Sequence, residues 1–188
     1  MTRILLTGVG GQGTILMTKI LSKALVELGY DVKMSEIHGM SQRGGTVNTQ
    51  LRFGEKVYAP NISEGDADII VAFEKVEALR ALPYLKKGGR IVMDSHEIYS
   101  MPVLTGEESY PSDADELLKK TVGNVLVIPA SKIAEQLGNG KVQNVCLLGA
   151  LAKALGLDHV DWNKLIADTV PAKMVDINQA AFKAGWDY

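Results

Sequence analysis

The sequence is poor in the residue types from which most redox and hydrolytic sites are built: it has one cysteine and three histidines, and only 6% of it is aromatic. A lone thiol closes no internal disulfide, which points to a reducing, cytoplasmic setting. Nor does it hold an iron–sulfur cluster, which takes about four thiolates. That thiol, Cys146, lies in the apolar run Val145-Cys146-Leu147-Leu148 and reads as a buried, inert side chain. Charge of one sign is missing as well. Lysine and arginine total 20 against 22 acids, a net charge of −2, so neither nucleic acid nor an anionic membrane is an expected partner. No apolar stretch approaches the ~20 residues of a membrane span. No signal peptide is expected, because Thr2-Arg3 leads straight into the fold. Catalytic sets are equally scarce. There is no Walker loop, Gly65-Asp66 starts like a thiamine-diphosphate motif without its Asn-rich end, and His159 beside Asp158 reads as surface. Asp94, His96 and Glu97 follow a strand and read as a solvated loop rather than an acid–base or metal site. What remains is a binding scaffold with no redox centre or catalytic base of its own.

What the chain does have is length for one good core, 188 residues at 46% hydrophobic and 22% charged, short of the roughly 250–300 at which single cores stop growing. No repeat, low-complexity tract or linker divides it, so one domain over 1–188 is expected. It is organised around Gly8-Val9-Gly10-Gly11-Gln12-Gly13. The apolar run Ile4-Leu5-Leu6 leads in. Leu16, Met17, Ile20, Leu21, Ala24, Leu25 and Leu28 lead out at helical spacing, with Gly29 at the stop. The glycines therefore occupy a strand-to-helix turn, where free N–H groups and the helix dipole favour an anion. Gly8, Gly10 and Gly13 satisfy G-x-G-x-x-G, and Glu36 lies about where that pattern wants a ribose-binding acid. Two readings fit these glycines: a nucleotide or phosphate contact, or tight packing of helix on strand alone.

Strands and helices alternate along the rest of the chain, which favours a parallel α/β sheet. Strands are expected near 4–7, 32–37, 46–53, 68–73, 90–94 and 125–129. Helices are expected over 14–28, 74–85, 114–121, 144–155 and 174–184, with Ser131 capping one and Asp161 another that runs to Val170. Gly54-Glu55 looks like a hairpin tip with Lys56-Val57-Tyr58 as its return strand, an insertion into the simple alternation. Residues 95–113 read as an irregular surface loop.

The polar, glycine-rich stretch His38–Gly45 should follow the carboxyl end of the second strand, so both glycine-rich loops open on one edge of the sheet, where ligands of such sheets collect. Arg43 offers a forked cation for a carboxylate or phosphate. Ser41, Gln42 and Gln12 are neutral hydrogen-bonding groups, and Met40 is a flexible apolar contact. The candidate binding residues are Gly8, Gly10, Gly11, Gln12 and Gly13 in the first loop and Met40, Ser41, Gln42, Arg43 and Gly44 in the second. No catalytic or metal-ligating residue is assigned.

These stretches resemble the gamma subunit, or gamma domain, of the 2-oxoacid:ferredoxin oxidoreductases. Gly8–Gly13 is similar to that family's opening motif, and Glu36 with His38–Gly45 is similar to the beta subunit of the indolepyruvate members. Further similarity lies in Ala67-Asp68, Phe73-Glu74, Pro129-Ala130, Asn144 with Leu148-Gly149-Ala150, and Asn178 with Ala181-Phe182 and Gly185. Asp94-Ser95-His96 departs from the Asn-ended strand of indolepyruvate members. The resemblance implies a Rossmann-like, doubly wound domain with helices on both faces. It also implies a place in a larger enzyme of anaerobic metabolism that decarboxylates a 2-oxoacid (indolepyruvate, another arylpyruvate or pyruvate), forms an acyl-coenzyme A and passes electrons to ferredoxin. Thiamine diphosphate and iron–sulfur clusters would sit on partner subunits, and this chain alone would bind no cofactor. Its part would be assembly and help in accommodating coenzyme A, with Gly10, Gly11, Gln12, Gly13 and Arg43 at the contact. A stand-alone NAD-binding protein using Glu36, or a pure assembly module, are the alternatives.

Overall fold

The computed structural model describes residues 1–39 and 45–188. Six strands form one sheet in the order β2-β3-β1-β4-β5-β6. They are β1 (Thr2–Val9), β2 (Asp31–His38), β3 (Thr46–Gly54), β4 (Ala67–Ala72), β5 (Leu85–Asp94) and β6 (Val125–Ile128). The helices are α1 (Thr14–Glu27), α2 (Lys75–Ala81), α3 (Met101–Leu104), α4 (Ala114–Val122), α5 (Ala130–Gln136), α6 (Gln143–Ala154), α7 (Trp162–Ala167) and α8 (Val175–Asp187). β1, β4, β5 and β6 are parallel neighbours, while β3 runs antiparallel to both β1 and β2. The sheet is thus mostly parallel, as expected.

The hairpin lies elsewhere than at Gly54-Glu55. Only residues 39–45 join β2 to β3, and a parallel crossover needs about a dozen residues or more, so the two must pair antiparallel. The segment after β3 forms no return strand. Its Val57 N–H instead donates to Asp31 Oδ2 at 2.8 Å, which ties it to the start of β2. β3 then inserts between β2 and β1, with Leu51 opposite both Met34 and Ile4.

Alternation along β1 supplies both halves of the core. Ile4 and Leu6 face α1 and α6, with Met17, Leu21, Val145 and Leu148 among their cluster. Leu5 faces the other side, with Ile70, Ile91, Ala78 of α2 and Leu118 of α4. Helices therefore cover both faces. β5 starts at Leu85, ahead of the expected residue 90, and Gly88 (φ +78°) lies inside it where the register to β4 shifts, as a bulge within the strand. α2 ends early because Pro83 forces a single 3-10 turn over Leu82–Tyr84. Asp161 caps α7 by accepting from Lys164 N–H at 3.0 Å, but α7 stops at Ala167. Ser131 is not a cap: it lies within the first turn of α5, with N–H and hydroxyl both turned to Asp94. α8 continues through Gly185 because that glycine does not end the helix; it packs on the Cys146 carbonyl, and a Cβ at either Gly185 or Gly149 would strike the backbone of the opposing helix. No helix among the described residues is long and apolar enough to cross a membrane.

Candidate functional site

The turn after β1 is shaped by its glycines and by amides reaching it from elsewhere in the chain. Gly13 adopts φ +81° and ends the turn as the residue before α1, and Gly11 adopts φ +99° with open space around it. Gln12 turns inward: its Oε1 accepts from Val9 N–H at 2.7 Å and its Nε2 donates to the Phe73 carbonyl at 3.0 Å. Gly8 is buried beneath that side chain, and a Cβ there would lie 2.9 Å from Gln12 Oε1. Asn144, at the start of α6, donates to the Gly13 carbonyl at 3.0 Å and fills the space a Gly13 side chain would need. Gly10 N–H donates to the Gly45 carbonyl at 3.0 Å, which sets the end of the second glycine-rich loop against the first.

The five candidates of the first loop therefore divide. Gly8, Gln12 and Gly13 are committed to packing and to internal bonds, and the Gly10 N–H is spent on the Gly45 carbonyl, while Gly11 is exposed, with open space around it on the crevice. The candidates of the second loop, Met40, Ser41, Gln42, Arg43 and Gly44, lie outside the described residues.

The strand order reverses direction around β1 and β4, and a crevice lies at their carboxyl ends, where ligands of doubly wound sheets are held. One cavity of about 350 Å³ is bounded by Gly11 and Gly13 on one side and by His96, Lys141, Gln143 and Asn144 on the other. The N-termini of α1 and α6 both open onto it, and neither carries an acid in its first turn. Lys141 is exposed, and its ammonium has no ion-pair partner among the described residues. The field in this crevice favours an anion. A second cavity of about 550 Å³ lies beyond Ile98, which lines both, and is bounded by Val9, Glu74, Val76 and Tyr110.

Beneath the crevice runs a buried polar chain. Gln143 Nε2 donates to the Phe73 carbonyl at 2.9 Å and to Asp94 Oδ2 at 2.7 Å. Asp94 is fully buried and also accepts from Ser131 N–H at 2.8 Å, Ser131 Oγ at 3.2 Å and His96 N–H at 3.1 Å. Burial pushes its carboxyl above the usual range, against the pull of these bonds. Asp94 is thus a structural acid and not part of a solvated loop. Glu77 is 4% exposed and likewise raised by burial; it accepts from Thr46 Oγ1 at 3.1 Å and Thr7 Oγ1 at 3.3 Å and pairs with Arg80 at 3.3 Å. Burial and the Glu74 carboxylate raise the Tyr110 phenol, so it stays a donor. Cys146 is fully buried and its thiol is pushed up to about 12, chiefly by burial, which leaves it inert.

Sequence reasoning missed Lys141, Gln143, Ile98 and Tyr110 as parts of this site. Asn144 had appeared only within a run of similarity. None sits in a repeating pattern, and each reaches the site through tertiary packing.

Comparison with known proteins gives the family and the fold. Residues 3–188 match the family model described as pyruvate ferredoxin/flavodoxin oxidoreductase. The chain belongs to that family. The indolepyruvate oxidoreductase subunit IorB of Thermococcus kodakarensis is 42% identical over 97% of this chain and 93% of its own. The gamma subunit of a keto/oxoacid ferredoxin oxidoreductase from Geobacter sulfurreducens superposes with a TM-score of 0.72 at 21% identity, over 100% of this chain and 97% of that one. The 2-oxoglutarate:ferredoxin oxidoreductase of Magnetococcus marinus, solved with 2-oxoglutarate, coenzyme A and succinyl-CoA bound, gives the same TM-score of 0.72 at 21% identity, over 98% of this chain but 30% of that longer one. The present chain is a subunit of a 2-oxoacid:ferredoxin oxidoreductase, with the Rossmann-like fold of the gamma subunits. Other subunits are implied by that membership.

Proposed function

We propose that this chain is the gamma-type subunit of a cytoplasmic, indolepyruvate-oxidising 2-oxoacid:ferredoxin oxidoreductase, acting as one domain over 1–188. Its task is to assemble with the subunit that bears thiamine diphosphate and iron–sulfur clusters and to help hold coenzyme A. Thiamine diphosphate supplies the decarboxylation chemistry and the clusters pass electrons to ferredoxin; neither belongs to this chain, whose one cysteine is buried. The observation that carries the reading is the crevice where two helix N-termini without acids, the open backbone of Gly11, and the Lys141 side chain converge. Coenzyme A brings phosphates suited to that field. Arg43, whose fork suits a phosphate, belongs to the same proposal, together with the rest of the 40–44 loop.

The test is steady-state kinetics of the enzyme co-expressed with its thiamine subunit. Lys141→Ala should raise the KM for coenzyme A about ten- to a hundredfold, the loss of one charge-assisted bond, with the melting temperature unchanged. Lys141→Arg should stay close to wild type. Turnover of a 2-oxoacid by this chain alone would overturn the reading.

The dinucleotide alternative fares worse in the sheet order. Because β3 stands between β2 and β1, Glu36 is displaced by one strand spacing, about 4.8 Å, from where a ribose-binding acid is useful. Glu36 also accepts from Thr49 Oγ1 at 3.3 Å. Calorimetry with NAD or NADH should show no saturable binding at sub-millimolar concentration. Binding that Glu36→Ala abolishes would favour the alternative.

A further inference from the structure

Residues 95–113 were expected to be an irregular surface loop, but both ends of their central part are fastened to one side-chain atom. Glu74 is 1% exposed and caps α2, its Oε2 accepting from Glu77 N–H at 2.9 Å. Its other oxygen, Oε1, accepts from Ile98 N–H at 3.3 Å and from the Tyr110 hydroxyl. One carboxylate oxygen thus serves the helix and the other serves only the loop. Lys75 reinforces the first anchor through Glu97 at 2.8 Å, and the Tyr99 and Tyr110 rings meet at 5.1 Å where the loop closes on itself.

Among the described residues, the hydrogen bonds of 99–109 all stay within 97–109, as where Leu104 N–H donates to the Ser100 carbonyl at 2.9 Å. Its short helix α3 turns Met101 and Leu104 to solvent, 68% and 64% exposed. Met101 and Val103 roof the cavity of about 550 Å³, and Ile98, at the anchor, is the residue that this cavity shares with the one of about 350 Å³ at the glycine turn.

We propose that residues 99–109 form a gate, latched by the Tyr110–Glu74 bond, whose opening joins the two cavities into one groove across the carboxyl ends of β1 and β4. A closed gate leaves a short crevice that suits an anion at the glycine turn. An open one adds an extension of mixed character, in which Ile98, Met101, Val103 and Tyr110 alternate with Arg80 and Glu108, able to take a long ligand with a charged end and a polar, hydrogen-bonding arm. The gate is read from this chain alone; that the joined groove receives coenzyme A rests on the function proposed above.

Hydrogen–deuterium exchange on the purified full chain separates the two. Tyr110→Phe removes the latch but keeps the ring, the Glu74 cap and α2. Exchange in 99–109 should then speed up about ten- to a hundredfold, as loss of a bond to a charged acceptor predicts, while β1, β4 and α6 exchange as in the wild type. Unchanged exchange in 99–109 would overturn the gate. So would faster exchange throughout the core with a lower melting temperature, which would make Tyr110 an ordinary structural residue. Coenzyme A added to the same samples tests the site. Protection at residues 10–13 with no latch effect at 99–109 keeps the site and rejects the gate. A latch effect with no protection anywhere keeps the gate and rejects the ligand.

Discussion

Gly13→Val is expected to destabilise the chain by about 3–5 kcal/mol, because two costs fall on one residue. The first is conformational: Gly13 sits at φ +81°, a region that costs a residue with a side chain about 1–2 kcal/mol and a β-branched one more. The second is steric. A Cβ would intrude on the Asn144 amide, whose bond to the Gly13 carbonyl measures 3.0 Å, and displacing that amide forfeits the bond and overpacks the contact between α1 and α6 for about 1–3 kcal/mol. For a protein of this size the melting temperature should fall by roughly 6–20 °C. The two costs separate in the variants. Gly11→Ala meets the first alone, since Gly11 has φ +99° and open space, and should cost about 1–2 kcal/mol. Adding Asn144→Ala to Gly13→Val should recover the steric part only. Thermal denaturation of the set decides it: a Gly13→Val protein that melts like the wild type would mean that the tight turn contributes nothing.

Asp94→Ala should cost a similar amount, about 3–5 kcal/mol, for a different reason. The carboxylate gathers donors from Gln143, Ser131 and His96. Its removal takes the acceptor from the buried Ser131 N–H and hydroxyl and from one Gln143 N–H, and each such group costs about 1–3 kcal/mol unless water or repacking rescues it. Asp94→Asn should be milder. Its amide nitrogen faces donors, but the Gln143 side chain can turn over to present its oxygen, at the loss of its bond to the Phe73 carbonyl at 2.9 Å. The pH dependence tells the two variants' effects from simple packing loss. Burial raises the folded-state carboxyl of Asp94 above its unfolded value, so the folded protein binds the extra proton first. Its contribution therefore improves as the pH falls from neutral through the raised value, and levels off below the unfolded one. Glu77, also raised by burial, acts in the same direction. In urea denaturation against pH, Asp94→Asn should flatten the part of the curve owed to Asp94. A variant whose pH profile parallels the wild type would show that this carboxyl keeps an ordinary titration in the fold.

Much of the architecture was legible because it is written locally. The apolar run of β4, the helical spacing of α1 and the glycines between β1 and α1 each act through neighbours a few residues away, and each formed where the pattern placed it. The hairpin was also implicit in the chain, since residues 39–45 are too few for a crossover; the competing signal of Gly54-Glu55 drew the expectation to the wrong end of β3. The family was legible in the same way, because its motifs are contiguous.

The site was legible only in part. Glycines can be found by spacing, but the fate of a polar side chain cannot. Gln12 looks like a ligand group in sequence, yet its amide is spent on a carbonyl 61 residues away, and the clamp on Gly13 comes from a residue 131 positions on. Asp94 reads as a surface acid because nothing nearby in the chain says that α5 and α6 will close over it. Glu36 stands where a ribose-binding acid belongs until β3 slides between its strand and β1. Local propensity and periodicity settled most of the long strands and helices, though not the turn after β3 or the short helix α3, since those elements depend on backbone dihedrals and on one face of each. Which polar groups were buried, which faced the crevice and which strand lay beside which depended on packing between distant segments, and such partnerships leave no periodic trace in the order of residues.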